Sequence, residues 1–425
     1  MILILFGMLF TMVGLGFSIW FSMCLSGIAY ILIRGDVSLR LVVSQMVGGV
    51  SSDILVAIPF FILAGNLMST TGITRRLTDF ADFFVGKYRA GLAYVSIVVS
   101  LFMAGISGSA ISDASSTSAV LHPIMKQRGY DDAFAAAINS SSAIVGPIIP
   151  PSIPMMIIGI ISGISIGRMF LGGFIPGFMI AGVLWILVTV QANRRKYNRV
   201  VVERTWKRFF ALLKDTFLAL LAPLIVLSGV VFGFVTLVEV AALAILYILA
   251  ISVLVYKTLT FKVFFQTMKE TAVFCTSIMI IFAVVGLYQY IVASEQLGQQ
   301  LYALVQSWNL SRNAFLLFTL VFLLLMGCVL DAVPVMLIFF PVLLPVATGL
   351  GIDPVHYGVI TVLNLMIGLL TPPVGALLFV QTKIAKISIN VLVRELVPHI
   401  AVLVFVLVLA TYFPQLVLWL PGLVF

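Results

Sequence analysis

The 425-residue chain is 62% hydrophobic and only 9% charged, with a mean hydropathy of +1.23, which excludes a soluble globular protein and makes the bilayer its solvent. Its net charge of +9 does not point to nucleic acid, because the lysines and arginines fall in short gaps between apolar runs, where they act as an orientation signal. The three cysteines (Cys24, Cys275, Cys328) lie within apolar runs and form no CxxC or Cys/His cluster, so they support neither a disulfide framework nor a metal site.

In chain order, apolar spans are predicted near 2–15, 18–33 and 54–73. Met1 leads straight into apolar residues without a basic leader, so no cleavable signal peptide is expected. Residues 36–52 mix charges with apolar residues at helical spacing and read as a helix lying in the interface, as do segments near 200–214 and 259–270. Residues 90–125 carry a polar, glycine-containing break and read as a re-entrant hairpin, followed by spans near 133–165 and 171–191. The second half gives spans near 217–235, 237–256 and 272–292, a second hairpin over 313–348, and spans near 355–388 and 396–421. Thr236 and Glu239 form a capping-box pattern where the span near 237 opens.

The two halves repeat. Gly129-Tyr130-Asp131, Gly146 and Pro150-Pro151 return as Gly351-Ile352-Asp353, Gly368 and Pro372-Pro373, all offset by 222 residues. Asp113 and Pro123 pair with Asp331 and Pro341 at an offset of 218, and Gly16-Phe17 and Tyr30 with Gly233-Phe234 and Tyr247 at 217. Each match is weak, but their shared order makes the chain two copies of one membrane unit. With re-entrant hairpins each copy crosses five times, and an odd count inverts the second copy. If the loop 192–215 is cytoplasmic, 20 of the 24 basic residues fall on the cytoplasmic side, and only Arg34, Arg40, Arg168 and Arg312 face outside. Both termini are therefore expected outside. The predicted fold is an all-α polytopic membrane protein of two inverted repeats, each with a hairpin and a broken helix.

Four segments cannot be regular helix. They are Ala104–Asp113, Asn139–Pro154, Gly327–Pro334 and Asn364–Gly375, and Pro150, Pro151, Pro372 and Pro373 break the second and fourth. In hydrocarbon a freed carbonyl costs several kcal/mol unless it is satisfied. Unwound carbonyls and hydroxyls suit Na⁺, whereas the N-termini of half-helices suit an anion. Asp113 and Asp331 are carboxylates within membrane segments, readable as functional groups or as helix caps. The hydroxyls of Ser115, Ser116, Thr117 and Ser118 read as intrahelical glue, and Asp131 and Asp353 as turn or cap residues. His122, His356 and His399 share no metal-binding spacing.

The motifs Ile58–Gly65, Gly108–Asp113, Lys126–Asp131, Ile149–Pro154, Gly351–His356 and Gly368–Gly375 together resemble the large membrane subunit of tripartite ATP-independent periplasmic (TRAP) transporters, the C4-dicarboxylate and sialic acid type. The resemblance implies a Na⁺-driven importer of organic anions with an elevator motion in the bacterial inner membrane. It also implies two partners, a small membrane subunit of about four helices and a periplasmic substrate-binding protein. By the same resemblance one Na⁺ site uses Ser107, Ser109, Ser112 and Gly146, and the other Gly327, Asp331, Gly368 and Thr371. Substrate then lies between them, against Ser109, Ser152 and Asp331. The expected organisation is scaffold over 1–73, a first transport half over 88–170, scaffold and connector over 171–271, a scaffold helix over 272–292, a second transport half over 313–390 and a C-terminal scaffold helix over 391–425. Where the family often shows Thr-Pro-Thr-Glu-Ala-Ala, this chain has Thr236-Leu-Val-Glu-Val-Ala241, a departure in the scaffold. The rival readings are an autonomous anion carrier, a proton-coupled carrier titrating Asp113 and Asp331, and an intramembrane protease. For the last, no HExxH or GxGD site is present.

Overall fold

The computed structural model describes residues 2–197, 205–232 and 235–425, and among them the only regular structure is helical. Arg199, Arg204 and the Gly233-Phe234 repeat match lie outside the described residues. The first repeat opens with α1 (Ile2–Gly14), α2 (Ile19–Arg34), α3 (Leu39–Val50), α4 (Ala57–Thr70) and α5 (Ile73–Val85). Hairpin 1 is α6 (Gly91–Ser107) and α7 (Ala110–Gln127), followed by the broken helix α8 (Asp132–Ala143) and α9 (Ile153–Ser162), then α10 (Ile166–Arg194). The second repeat runs through α11 (Trp206–Phe232), α12 (Leu237–Ala250, continued as a π-helical turn over Ile251–Val255), α13 (Phe261–Ser294) and α14 (Leu297–Ser307). Hairpin 2 is α15 (Arg312–Val329) and α16 (Ala332–Gly349), and its broken helix is α17 (Pro354–Gly368) and α18 (Ala376–Ala385). The chain closes with α19 (Ile389–Tyr412) and α20 (Gln415–Val424).

The hairpins and broken helices stand where the sequence puts them, and the capping box forms, with the Glu239 N–H donating to Thr236 Oγ1 at 3.3 Å and the Thr236 N–H to Glu239 Oε2 at 2.7 Å. Several expectations need correction. The segment 259–270 is not a separate interfacial helix but the first turns of the 34-residue α13, and 206–214 is likewise continuous with α11. The single C-terminal span ends at Tyr412 and restarts at Gln415, because Pro414 cannot donate to the preceding turn. Two helices were not foreseen, the amphipathic α5 and its counterpart α14. Each enters from a left-handed residue, Gly72 at φ 78° and Gln296 at φ 51°.

The repeat register is also corrected. α7 and α16 both run for 18 residues and start 222 positions apart, so the structural counterpart of Asp331 is Ser109, and that of Pro123 is Pro345. The 218-offset pairing of Asp113 with Asp331 is a coincidence of sequence. Asp331 and Ser109 occupy the N-cap positions of their helices, while Asp113 sits one turn further in.

Packing is reciprocal between repeats. α18 of the second lies on α7 of the first, and α9 of the first on α16 of the second. In the same way α8 meets α19 and α17 meets α10, while α4 packs on α12 and α2 on α13. Small residues bring some of these helices into backbone contact. On α3 and α13, a Cβ at Gly49 would lie 3.2 Å from Gly286 Cα, and one at Gly286 would fall on the Gln45 carbonyl. Gly286→Ala should therefore separate these helices and destabilise the protein by about 1–3 kcal/mol, seen as a lower thermal midpoint in detergent. Gly182→Ala, where nothing lies within 4 Å of the added carbon, should be neutral or slightly stabilising.

Candidate functional site

The site is built where each hairpin tip meets its broken helix. At the first, α6 ends at Ser107 and the chain turns through Gly108 at φ 57°, a left-handed conformation that glycine adopts without strain. Proximity also demands glycine there, since a Cβ would fall on the Pro151 carbonyl oxygen. Ser109 caps α7 by accepting from the Ser112 N–H at 3.4 Å. The Ser107 hydroxyl donates to Asp113 Oδ1 and accepts from the Ser109 N–H at 3.2 Å.

Asp113 is fully buried, its Oδ2 has no hydrogen-bond partner, and it takes part in none of the ion pairs among the described residues. The unpartnered oxygen lies against Gly146, where a Cβ would overlap it. Asp113 is thus not the cap of its helix. It joins Ser107 and Gly146 in one buried oxygen-rich corner, a role the sequence-derived site set omitted.

Across the break in the first repeat, Pro150-Pro151 is cis and Ser152 caps α9. Ser152 is fully buried, with its hydroxyl donating to the Pro147 carbonyl and accepting from the Met155 N–H at 3.2 Å. It faces neither cavity and holds the break together.

The second half-site is made differently. Pro372-Pro373 is also cis, and the Val374 N–H donates to the Cys328 carbonyl at 3.0 Å, tying the break to the hairpin tip. Gly327 and Gly368 touch backbone to backbone, a Cβ on Gly368 lying 2.8 Å from Gly327 Cα. The Thr371 hydroxyl donates to the Ile367 carbonyl at 2.9 Å and is only partly buried. Asp331 caps nothing with its side chain.

Between the half-sites lies a cavity of about 70 Å³ to which both tips and both breaks contribute, including Ser109, Pro147, Asp331 and Leu369, with Phe274 and Ile278 of α13 on its wall. Asp331 is exposed and its surface lines this cavity. A larger cavity of about 440 Å³ adjoins it through Ser109 and Ile153, bounded by Ser107, Ser112, Ser115 and Ser116 of hairpin 1, by Asn66, Ser69 and Thr70 of α4, and by Glu270 of α13. Ser115 and Ser116 therefore face a cavity rather than serving only as glue. Ser118 does not. It donates to Gln381 Oε1 of α18 at 3.0 Å, and Gln381 Nε2 donates to the Ala114 carbonyl at 3.3 Å, a buried link between repeats.

The histidines carry no site. His399 meets Ser141 at 2.8 Å, His356 meets the Ala410 carbonyl at 2.9 Å, and no group of metal-ligating side chains exists among the described residues.

Two interrupted helices, each met by a hairpin tip and sharing a largely apolar cavity with Ser109 and Asp331 in its wall, inside a bundle of long apolar helices, are the makings of a transporter. Comparison with known proteins agrees. The chain belongs to the family described as "Tripartite ATP-independent periplasmic transporter, DctM component", which it matches over residues 6–416. It is 37% identical over 424 residues to the sialic acid TRAP transporter large permease protein SiaM of Vibrio cholerae, covering 98% of each chain. It is 32% identical over 420 residues to the 2,3-diketo-L-gulonate TRAP transporter large permease protein YiaN of Escherichia coli, again covering 98% of each. Among solved structures, the Alcanivorax borkumensis YdaH transporter shares the fold with a TM-score of 0.66 over 89% of this chain and 88% of that one, at 13% identity. The family is one of transport proteins and not of enzymes.

The Gln381 link yields a direct test. Gln381→Ala leaves the Ser118 hydroxyl and the Ala114 carbonyl without that partner, at a cost of about 1–3 kcal/mol. Ser118→Ala added to it should cost little more, and thermal midpoints of the two single variants and the double variant should be clearly non-additive.

Proposed function

We propose that this large permease subunit imports an organic anion together with Na⁺, receiving the anion from a periplasmic binding protein and working with a small membrane subunit of about four helices. One observation carries the cation half. Asp113 is a fully buried carboxylate whose only hydrogen-bond partner is Ser107. Such a group, remote from any lysine or arginine, requires a bound cation or a proton. The surrounding donors are oxygens and freed backbone, a set that fits a hard cation such as Na⁺.

In this reading the first cation site comprises Ser107, Ser109, Ser112, Asp113 and Gly146, and the second comprises Gly327, Asp331, Gly368 and Thr371. The anion lies against Ser109 and Asp331, extending from the small cavity past Ser109 and Ile153 into the larger one. A cation held at each tip offsets the carboxylates beside it and fixes hairpin against break, so the cavity walls are ordered when the anion arrives. Coupling between such sites amounts to about 1–3 kcal/mol. Sialic acid, a sugar acid or a C4-dicarboxylate fits this scheme equally. Relatives carrying sialic acid and 2,3-diketo-L-gulonate support the class and not one member.

The moving body is larger than the hairpins and broken helices alone. α10 packs on α6, α9 and α17, and α19 on α8, α17 and α18, whereas α10 has only slight contact with α11. We therefore place both helices with the transport body, revising the expected assignment of 171–271 and 391–425 to the scaffold. α1 to α5 and α11 to α14 form the frame past which this body slides. The repeats run in opposite directions through the inner membrane with both termini on the periplasmic side, as the basic loops require.

Proton coupling is the second reading, because a proton can neutralise Asp113 as a cation can. Uptake of candidate anions into proteoliposomes, with the co-purified small subunit and binding proteins, separates the two. Uptake should depend on an inward Na⁺ gradient. Thr371→Ala and Gly368→Ala should weaken Na⁺ activation more than expression, and Asp331→Asn should lower uptake at least about tenfold, the loss of a charge-assisted contact. Uptake indifferent to Na⁺ but driven by a pH gradient would establish the proton reading instead.

A further inference from the structure

The larger cavity holds a feature that the transport reading leaves unused. Among its lining residues Glu270 alone bears a charge, and every other polar group there is a hydroxyl or an amide. Glu270 lies ten residues into α13, well beyond the first turn where a helix dipole would favour a carboxylate. It is exposed, accepts from Gln266 Nε2 at 2.7 Å, and belongs to none of the ion pairs among the described residues. Neighbouring Lys269 projects about 100° away around the helix and does not line the cavity. An unneutralised carboxylate at a cavity with low-dielectric walls focuses its field into the cavity.

We infer that Glu270 makes this vestibule selective for cations over anions. The assignment rests on the proposed import of an anion with a cation for its purpose, though not for its physics. On that reading, the vestibule on the hairpin 1 side is where both solutes leave the site. A negative charge there disfavours occupancy of the vestibule by the anion and favours that of the cation along Ser112, Ser115 and Ser116, in both directions of travel. These hydroxyls share one face of α7, as their i, i+3 and i+4 spacing requires. The segments expected in the cytoplasm carry more basic than acidic residues, so Glu270 sets the local sign of this cavity against that balance.

The test reads electrostatics without using uptake, so its failure is separable from failure of the Na⁺ reading. Ser115 is exposed to the cavity, and Ser115→Cys supplies a reporter thiol, with the chain bearing only its three native cysteines as background. The purified complex is labelled with a cationic trimethylammonium-ethyl and an anionic sulfonato-ethyl methanethiosulfonate. The ratio of the two rates cancels any change in the acidity of the thiol itself. Adding Glu270→Gln should lower the cation-to-anion ratio about tenfold at low salt, the order expected of one focused unit charge. Raising the ionic strength should shrink that difference. Glu270→Asp should keep the ratio, and Glu270→Lys should invert it. A ratio unchanged by Glu270→Gln, or a change indifferent to salt, overturns the assignment.

Discussion

The bilayer interior tolerates no unsatisfied backbone, yet this chain breaks two membrane helices near their middles, and the rest of the architecture answers that constraint. Each break is covered by the tip of a re-entrant hairpin, which brings its own turn and its own free backbone groups to the same place. The covering is close enough to exclude side chains. Gly108 lies against the Pro151 carbonyl, and Gly327 against Gly368. Around these contacts, Ser152 donates to the Pro147 carbonyl that the first break releases, Ser109 accepts from the Ser112 N–H at the hairpin tip, and the Val374 N–H of the second break donates to the Cys328 carbonyl. Asp113 Oδ2 stays without a protein partner.

The two half-sites are alike in backbone and unlike in chemistry. Where one tip carries Ser109 the other carries Asp331, and the buried carboxylate of the first, Asp113, has Val335 as its structural counterpart. Duplication supplied the scaffolding of both sites, and substitution has since distinguished them. One acid is buried behind its hairpin and the other lines the cavity between the tips.

Much of this was legible in the sequence because hydrophobic runs, prolines and glycines are the quantities the membrane constrains most. The doubled Pro-Pro pair located both breaks. The residues that misled did so for identifiable reasons. Asp113 and Asp331 matched by identity, but hairpin register depends on helix length and not on residue type. Ser152 belongs to a cap whose acceptor, the Pro147 carbonyl, is released only by the break itself. Gln381 and Ser118 carried no signal at all, since their partnership is a tertiary contact across 263 residues. α5 was missed because its charges resemble a loop between spans, and α14 because its glutamines and short length resemble a polar connector.

That Gln381–Ser118 contact also bears on how the protein is made. At bacterial translation speeds Gln381 leaves the ribosome roughly 15–50 s after Ser118. Throughout that interval the first hairpin exists without the strap that completes it, as does α16 before its own neighbours settle. The contact joins the two gene-halves, so neither completes it alone. The Ser118 hydroxyl and the Ala114 carbonyl gain this partner only when the later half arrives. Biogenesis is in this sense a docking reaction between two nascent halves of one polypeptide.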